Sequence, residues 1–229
     1  MKKLKVVILA RGGSKGVPRK NIRKINDIHL IGYPILASKD SQNVSEVYVS
    51  TEDDEIKKVA LDYGAKVIDR PSELAGDKSL DIDGMRHAVK HLQSYDDIVH
   101  LRASTPMVDS NVIDDTIEYF WENPNCTSLR SAHEASETAY KSFKKNEDGT
   151  WGGLFDHQLE GDYYNLPRQS LPKTYHPNGY IDIIRPKHFM THNNLHGEKM
   201  LAFVTPFSYE VDTMDDFKIL KVLYDKDTK

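Results

Sequence analysis

The chain has 229 residues, a formal net charge of −4 and one cysteine, Cys126. This length suits one large α/β domain, and the slightly acidic charge argues against a general nucleic-acid binder. A lone cysteine forms no internal disulfide, and the apolar run near the N-terminus is too short for a signal peptide or a membrane span, so we expect a cytoplasmic protein that does not bind membranes.

Predicted strands and helices alternate along most of the chain. The first strand, from Lys5 to Ala10, is a short β-branched run bounded by glycine. Apolar runs and helical spacing then predict, in order, a strand at 47–50, a helix from Asp53 to Gly64, strands at 66–68 and 98–101 on either side of a helix around 85–92, a helix capped by Ser110, strands at 179–184 and 200–204, and a helix around 217–224. This alternation predicts an α/β fold with a doubly wound, parallel sheet.

The region from 133 to 178 breaks this alternation. It contains an acidic, glycine-containing stretch at 146–153, followed by three prolines, Pro167, Pro172 and Pro177. We expect an inserted hairpin or extension within a single domain that spans residues 1–229. Aromatic, amide and cationic residues at 163–182 would suit a polar sugar with a carboxylate, or a dimer surface, and the two interpretations are compatible.

The loop after the first strand carries four cations, Arg11, Lys15, Arg19 and Lys20, around three glycines. Glycines let backbone N–H groups, such as those at 12–14, approach a ligand closely, and the cations oppose phosphate charge. The alternative is a solvated basic turn. The glycine spacing matches neither the P-loop nor the dinucleotide fingerprint. We favour a triphosphate site at the carboxyl end of the first strand.

Ligands of such sheets bind outside the carboxyl ends of the strands, which predicts a site built from residues 11–21, 50–53, 70–81, 102–106 and 210–212. Arg70 and Arg102 follow predicted strands and could donate to phosphate or carbonyl oxygens, or could be surface arginines. Glu210 and Asp212 are two residues apart, so in an extended segment both carboxylates could hold Mg²⁺. Asp212 could equally be the N-cap of the last helix.

Several segments lie in a recognisable order along nearly the whole chain. The most specific is Leu-Ala-Arg-Gly-Gly-Ser-Lys-Gly-Val-Pro-Arg-Lys-Asn at 9–21. The others are Val-Ser-Thr-Glu-Asp at 49–53, Arg-Pro-Ser-Glu-Leu-Ala at 70–75, Leu-Arg-Ala-Ser-Thr-Pro at 101–106, Pro-Arg-Gln-Ser-Leu-Pro at 167–172, Pro-Asn-Gly at 177–179 and Glu-Val-Asp-Thr at 210–213. In these segments and their order the chain resembles the acylneuraminate cytidylyltransferases.

This resemblance implies a Rossmann-like nucleotidyltransferase fold, a homodimer, and CTP, Mg²⁺ and a nine-carbon sugar acid as ligands. Because residues 133–178 break the alternation and are rich in tyrosine and proline, we expect them to form an arm that packs on the second subunit. The positions that it assigns to the triphosphate and to activation are Arg11, Lys15, Lys20 and Asn21, with Gly12, Gly13 and Ser14 in the same loop. Nucleotide contacts fall on Arg70, Asp81 and Arg102, and the metal position falls on Asp212, with Glu210 beside it. Lys141 and Arg168 match positions that reach the sugar or the neighbouring subunit's phosphates, and we add Ser104, Gln169, Tyr175 and Asn178 as substrate-binding candidates.

We expect Asp81 to accept a hydrogen bond from the exocyclic amine of cytosine, because that amine is a donor. The alternative is that Asp81 caps the helix that contains Met85. The chain departs from the common family pattern at Glu210, at His176 and in Tyr-Ile-Asp at 180–182. These departures leave open which nonulosonic acid is used. Two competing functions are a related nucleotidyltransferase with another sugar or base, and a catalytically silent nucleotide-binding protein.

Overall fold

A computed structural model describes residues 3–226, so the predicted single domain extends beyond the described residues at both ends. The eleven strands are β1 (Leu4–Leu9), β2 (Lys24–Ile25), β3 (Ile28–His29), β4 (Val44–Thr51), β5 (Lys66–Asp69), β6 (Ile98–Arg102), β7 (Ser128–Glu134), β8 (Phe143–Lys145), β9 (Trp151–Gly153), β10 (Tyr175–Ile184) and β11 (Met200–Val204). The six α-helices are α1 (Gly32–Asp40), α2 (Asp54–Asp62), α3 (Asp81–Leu92), α4 (Ser110–Glu122), α5 (Pro186–Phe189) and α6 (Met214–Lys226).

Seven of the strands form one mostly parallel sheet in the order β11, β7, β10, β6, β1, β4, β5. Strand β10 is the exception, since it runs antiparallel to both β6 and β7. Central strand β1 is apolar on both faces, and Val6, Val7 and Ile8 are fully buried. A strand covered on both sides needs such a continuous apolar run. The predicted α/β fold with a mostly parallel sheet flanked by helices is therefore confirmed.

Helices cover both faces of the sheet. Val6 and Ile8 belong to a cluster with apolar residues of α1, α2 and α4, whereas Val7 packs with residues of α3 and α5. Because side chains alternate along a strand, these clusters lie on opposite faces and make a three-layer core. The helix cap predicted at Ser110 is wrong by one residue, since the Asp109 side chain accepts the Asn111 N–H. Both residue types cap helices well, so sequence alone does not separate them.

The predicted insertion begins two residues later and ends four residues earlier than the sequence suggests. Residues 133–134 complete β7, and residues 175–178 already belong to β10. Between them, residues 135–174 leave the main sheet and form the β8–β9 hairpin together with short 3₁₀ turns. We call this segment the arm. No helix within residues 3–226 is both long and apolar enough to cross a membrane.

Candidate active site

A cleft of about 450 Å³ opens at the carboxyl ends of β1 and β6. Four of the five segments that the sequence predicts for the site contribute to its lining. The lining residues from those segments include Arg11, Ser14, Lys15, Lys20, Asn21, Arg70, Asp77, Asp81, Arg102, Ser104, Glu210 and Asp212. The fifth segment, 50–53, supports the cleft from behind, because the Glu52 carboxylate accepts the Gly12 N–H at 2.7 Å and binds Arg70 at 3.1 Å.

Three of the four cations in the loop after β1 face the cleft, namely Arg11, Lys15 and Lys20. The fourth, Arg19, has a left-handed backbone with φ of 57° and points away. Its guanidinium binds Asp53, which also caps α2, and Glu55. Arg19 lowers the pKa of the Asp53 carboxyl through this hydrogen-bonded contact. The expected cluster of four cations is therefore a cluster of three, with the fourth anchoring the loop to α2.

The backbone of the loop is fixed by neighbours as well as by its glycines. Asn21 is buried, and its side-chain amide donates to the Arg11 carbonyl at 2.9 Å. Gly12 already donates its N–H to Glu52, and an added Cβ there would meet Asp53. Gly13 has open space at its Cβ position and does not line the cleft. These contacts place the loop backbone, while Ser14 and the cations provide its ligand-facing surface.

Gly16 brings the loop and the 210–212 segment together. A Cβ at Gly16 would lie 2.1 Å from the Asp212 carbonyl oxygen, so a side chain would force the two segments apart. Lys20 completes the contact, donating to the Val211 carbonyl at 2.6 Å and to the Asp212 carboxylate at 3.1 Å. The cationic loop and the carboxylate segment, about 190 residues apart in sequence, therefore form the two sides of one corner of the cleft.

Asp212 does not cap the last helix. Thr213 and Asp216 form a reciprocal cap, in which Asp216 N–H donates to the Thr213 hydroxyl and the Asp216 carboxylate accepts the Thr213 N–H. The Asp212 carboxylate is left 68% exposed in the cleft beside Lys20. Glu210 also lines the cleft and accepts the Ser104 hydroxyl at 2.9 Å. The spacing of two residues thus brings both carboxylates to one site, as the sequence predicts.

Asp77 is a cleft residue that sequence reasoning did not single out. It binds the Arg11 guanidinium at 3.2 Å and also pairs with the Lys15 ammonium. The hydrogen bond from Lys15 lowers the pKa of the Asp77 carboxyl. A carboxylate thus stands where two of the phosphate-binding candidates converge. Three aspartates between residues 77 and 83 indicated an acidic segment near the site, but the sequence does not show which of them faces the loop.

The two predicted arginines lie on the cleft floor with acidic partners. Arg70 is buried and pairs with Glu52, whereas the Arg102 guanidinium lies 3.0 Å from Asp182 and 3.8 Å from Asp81. The N-cap residue of α3 is Leu80 and Asp81 is the first helical residue, so the alternative that Asp81 caps the helix is wrong. Its carboxylate is 56% exposed in the cleft.

His100, which the sequence analysis did not single out, also lines the cleft. Burial, together with the nearby charge of Arg102, lowers the pKa of His100 to about 4. The imidazole is therefore neutral near pH 7 and adds no charge to the cleft floor.

The predicted sugar-side residues do not gather at this cleft, with the exception of Ser104. Arg168 and Gln169 line a second cavity of about 350 Å³ in the arm. Lys141 and Tyr175 are exposed and line neither cavity. Asn178 is buried in β10, where its side chain bonds to the Ser131 and Thr205 hydroxyls. Its amide is therefore occupied within the sheet, which corrects its assignment as a ligand contact within this subunit.

Residues 5–158 match the family model described as cytidylyltransferase. The chain belongs to the cytidylyltransferase family. It is 34% identical over 97% of its length to a post-translational flagellin modification protein B of Campylobacter coli, of which it covers 95%. It is 32% identical over 95% of its length to a pseudaminic acid cytidylyltransferase of Campylobacter jejuni, of which it covers 94%. A CMP-N,N'-diacetyllegionaminic acid synthase of the same species is 33% identical, with 97% of this chain and 95% of that protein covered.

Solved structures show the same fold for this cytidylyltransferase. A CMP:2-keto-3-deoxy-manno-octonic acid synthetase complexed with CTP superposes with a TM-score of 0.76 at 17% identity, covering 99% of this chain and 100% of that one. A cytidylyltransferase from Leptospira borgpetersenii superposes with a TM-score of 0.63 at 18% identity, covering 98% of this chain and 88% of that one.

Proposed function

We propose that this cytidylyltransferase transfers CMP from CTP to a nine-carbon 2-keto-3-deoxy sugar acid, a nonulosonic acid, and releases pyrophosphate. The observation that carries the proposal is the near full-length similarity to enzymes named for pseudaminic and legionaminic acids. The cleft supports it, because Arg11, Lys15 and Lys20 line it together with the Glu210 and Asp212 carboxylates. The lone cysteine and the use of CTP favour a cytoplasmic reaction.

The reaction needs no covalent intermediate on the protein. A hydroxyl of the sugar acid attacks the α-phosphorus of CTP, and the bond from that phosphorus to pyrophosphate breaks. Such transfers depend on positioning and on neutralisation of phosphate charge. We assign the triphosphate to Arg11, Lys15 and Lys20. Asp77 must give up its contacts with Arg11 and Lys15 when the phosphates bind there.

We propose that Glu210 and Asp212 hold Mg²⁺, which would add positive charge against the phosphates. The donor set fits, because Mg²⁺ prefers carboxylate oxygens and needs only one or two of them beside phosphate and water. Within residues 3–226 there is no cluster of three or more acidic, histidine or cysteine groups suited to a metal, so a self-contained protein cage is not available. Asp212 is the more exposed of the two and has one oxygen beside Lys20.

We also propose that the Asp81 carboxylate accepts a hydrogen bond from the exocyclic amine of cytosine. Asp81 lines the cleft and does not cap α3, which supports this assignment.

We further propose that the arm packs on a second subunit as part of a homodimer. The arm exposes large apolar side chains, among them Phe143, Trp151 and Leu166, which supports this proposal. Exposed clusters of this kind mark interaction surfaces.

A pyrophosphate-release assay tests the proposal. The purified protein is incubated with each of the four ribonucleoside triphosphates, Mg²⁺ and a panel of nonulosonic acids. We expect release only with CTP and with at least one nine-carbon acid. Release with GTP and a sugar phosphate would instead identify a related nucleotidyltransferase. Absence of release together with measurable CTP binding would identify a silent nucleotide-binding protein.

A further inference from the structure

A charged side chain lies at the centre of the sheet, beneath the cleft. Asp182 of β10 has no exposed surface. The strand register places it opposite His100 of β6 on one side and opposite Arg130 of β7 on the other. A buried carboxylate carries a large desolvation cost. Replacing a buried ion pair with apolar residues of similar size often leaves a protein as stable as before, or more stable. Stability alone therefore gives no reason for a carboxylate here.

The main partner of Asp182 is a cleft residue. The Arg102 guanidinium lies 3.0 Å from one Asp182 oxygen, whereas Arg130 lies 3.9 Å from the other. Neither oxygen accepts a hydrogen bond of normal geometry within residues 3–226. Because His100 is neutral, the two arginines supply the positive charge around Asp182. The interaction is thus mainly an ion pair that orients Arg102.

The backbone of β10 makes room for this ion pair. Gly179 has a φ of +61°, and a Cβ there would lie 3.0 Å from Cδ of Arg102 and 3.3 Å from the Thr105 hydroxyl. The bare backbone therefore allows the Arg102 side chain to lie against β10. The other terminal nitrogen of Arg102 is 3.8 Å from Asp81 at the cleft surface. Arg102 thus spans from the buried carboxylate to the exposed one.

We propose that Asp182 is a positioning residue for CTP binding, which holds Arg102 on the cleft floor in the orientation that the nucleotide meets. This inference rests on the proposed use of CTP. It predicts that the charge of Asp182 matters for the nucleotide and not for the sugar acid. It also predicts that substituting Asp182 has no effect on CTP affinity in a protein in which Arg102 is already substituted.

The chain contains a matched control for this ion pair. Asp97 binds Arg185 at 3.0 Å and 3.3 Å, at the opposite end of β6 and β10 and away from the cleft. Asp182→Asn and Asp97→Asn each remove one carboxylate charge that pairs with an arginine. CTP affinity is measured by titration calorimetry without sugar acid, and the KM values for both substrates are measured separately. Thermal unfolding reports the stability of each variant.

We expect Asp182→Asn to weaken CTP binding and raise the CTP KM about tenfold, with the sugar KM unchanged, and Asp97→Asn to change neither. Equal CTP affinities for the two variants would overturn the inference while leaving the proposed function intact. A wild-type protein that binds no CTP would overturn the proposed function itself.

If Asp182→Asn does not fold, the pair Arg102→Gln and Arg102→Gln/Asp182→Asn decides the question. Removing the arginine alone leaves a buried charge, so we expect the double variant to melt at a higher temperature than Arg102→Gln. We expect the two to bind CTP equally. A further tenfold loss in the double variant would show that Asp182 acts by another route, and the inference would be wrong.

Discussion

The two halves of the candidate site are built differently. On the nucleotide side, the loop after β1 contacts the 210–212 segment, and the start of α3 lines the same cleft within a single subunit. On the sugar side, Lys141, Arg168 and Tyr175 are exposed and lie outside the main cleft. One chain is therefore enough to assemble the phosphate-binding corner. The arm, in contrast, presents polar and apolar side chains that its own subunit leaves uncovered.

Lys20→Ala tests the nucleotide side, and we expect it to have the greatest effect on activity. Lys20 lies in the cleft and donates to Val211 and to Asp212, so its loss removes a phosphate cation and loosens the corner. We expect kcat/KM to fall about 10²- to 10³-fold while the protein stays folded, since the residue lies outside the hydrophobic core. Lys24→Ala, which removes an exposed cation from the nearby β2–β3 hairpin, is the control. Turnover near wild type at saturating CTP would refute the assignment.

The second test compares the two carboxylates. We expect Asp212→Asn to lower kcat/KM about tenfold or more, because an amide has no charge to hold a divalent ion. Glu210→Gln should cost far less, and raised Mg²⁺ should partly rescue both. Asp215→Asn removes a neighbouring exposed carboxylate on α6 and should change nothing. Activity in excess chelator, or normal Mg²⁺ dependence of Asp212→Asn, would show that these carboxylates hold no metal.

The third test addresses the arm. Trp151 is 68% exposed on β9, and we expect Trp151→Asp to weaken a dimer about tenfold or more, as the loss of a central interface aromatic does. Leu61→Asp, at a 58% exposed position on α2, is the control and should leave the dimer intact. Sedimentation velocity at micromolar concentration gives the oligomeric state. A wild-type monomer with full activity would show that the arm serves no second subunit.

Local patterns predicted most of the nucleotide side, although not Asp77 or His100. A β-branched strand followed at once by glycines and cations predicts the phosphate loop, and the spacing of Glu210 and Asp212 predicts their common side. The left-handed turn at Arg19 was not predictable, because it depends on Asp53 and Glu55, which are distant in sequence. The occupied amide of Asn178 likewise depends on strand pairing. Residues that rely on long-range partners escape local reasoning.

The fourth test concerns the base. If Asp81 accepts the cytosine amine, Asp81→Asn should reduce the preference for CTP over UTP about tenfold, because an amide can also donate to uracil. Asp83→Asn changes a neighbouring carboxylate in the first turn of α3 that does not line the cleft, and it should leave the preference unchanged. kcat/KM for both nucleotides is the measurement. An unchanged preference in Asp81→Asn would remove the base-reading role.

The smallest expected effect is a gain, at Asp77. Its carboxylate binds Arg11 and Lys15, the same cations that we assign to the triphosphate, so CTP must displace it. Asp77→Asn removes this competitor, and because exposed ion pairs are weak we expect the CTP KM to fall only about two- to fivefold.

The difference in CTP KM between Asp77→Asn and the wild type should become smaller at high salt, because salt screens exposed charges. Asp69→Asn breaks a comparable exposed pair with Lys57 outside the cleft and should leave KM unchanged. A higher CTP KM in Asp77→Asn would mean that this carboxylate takes part in binding the nucleotide and does not compete with it.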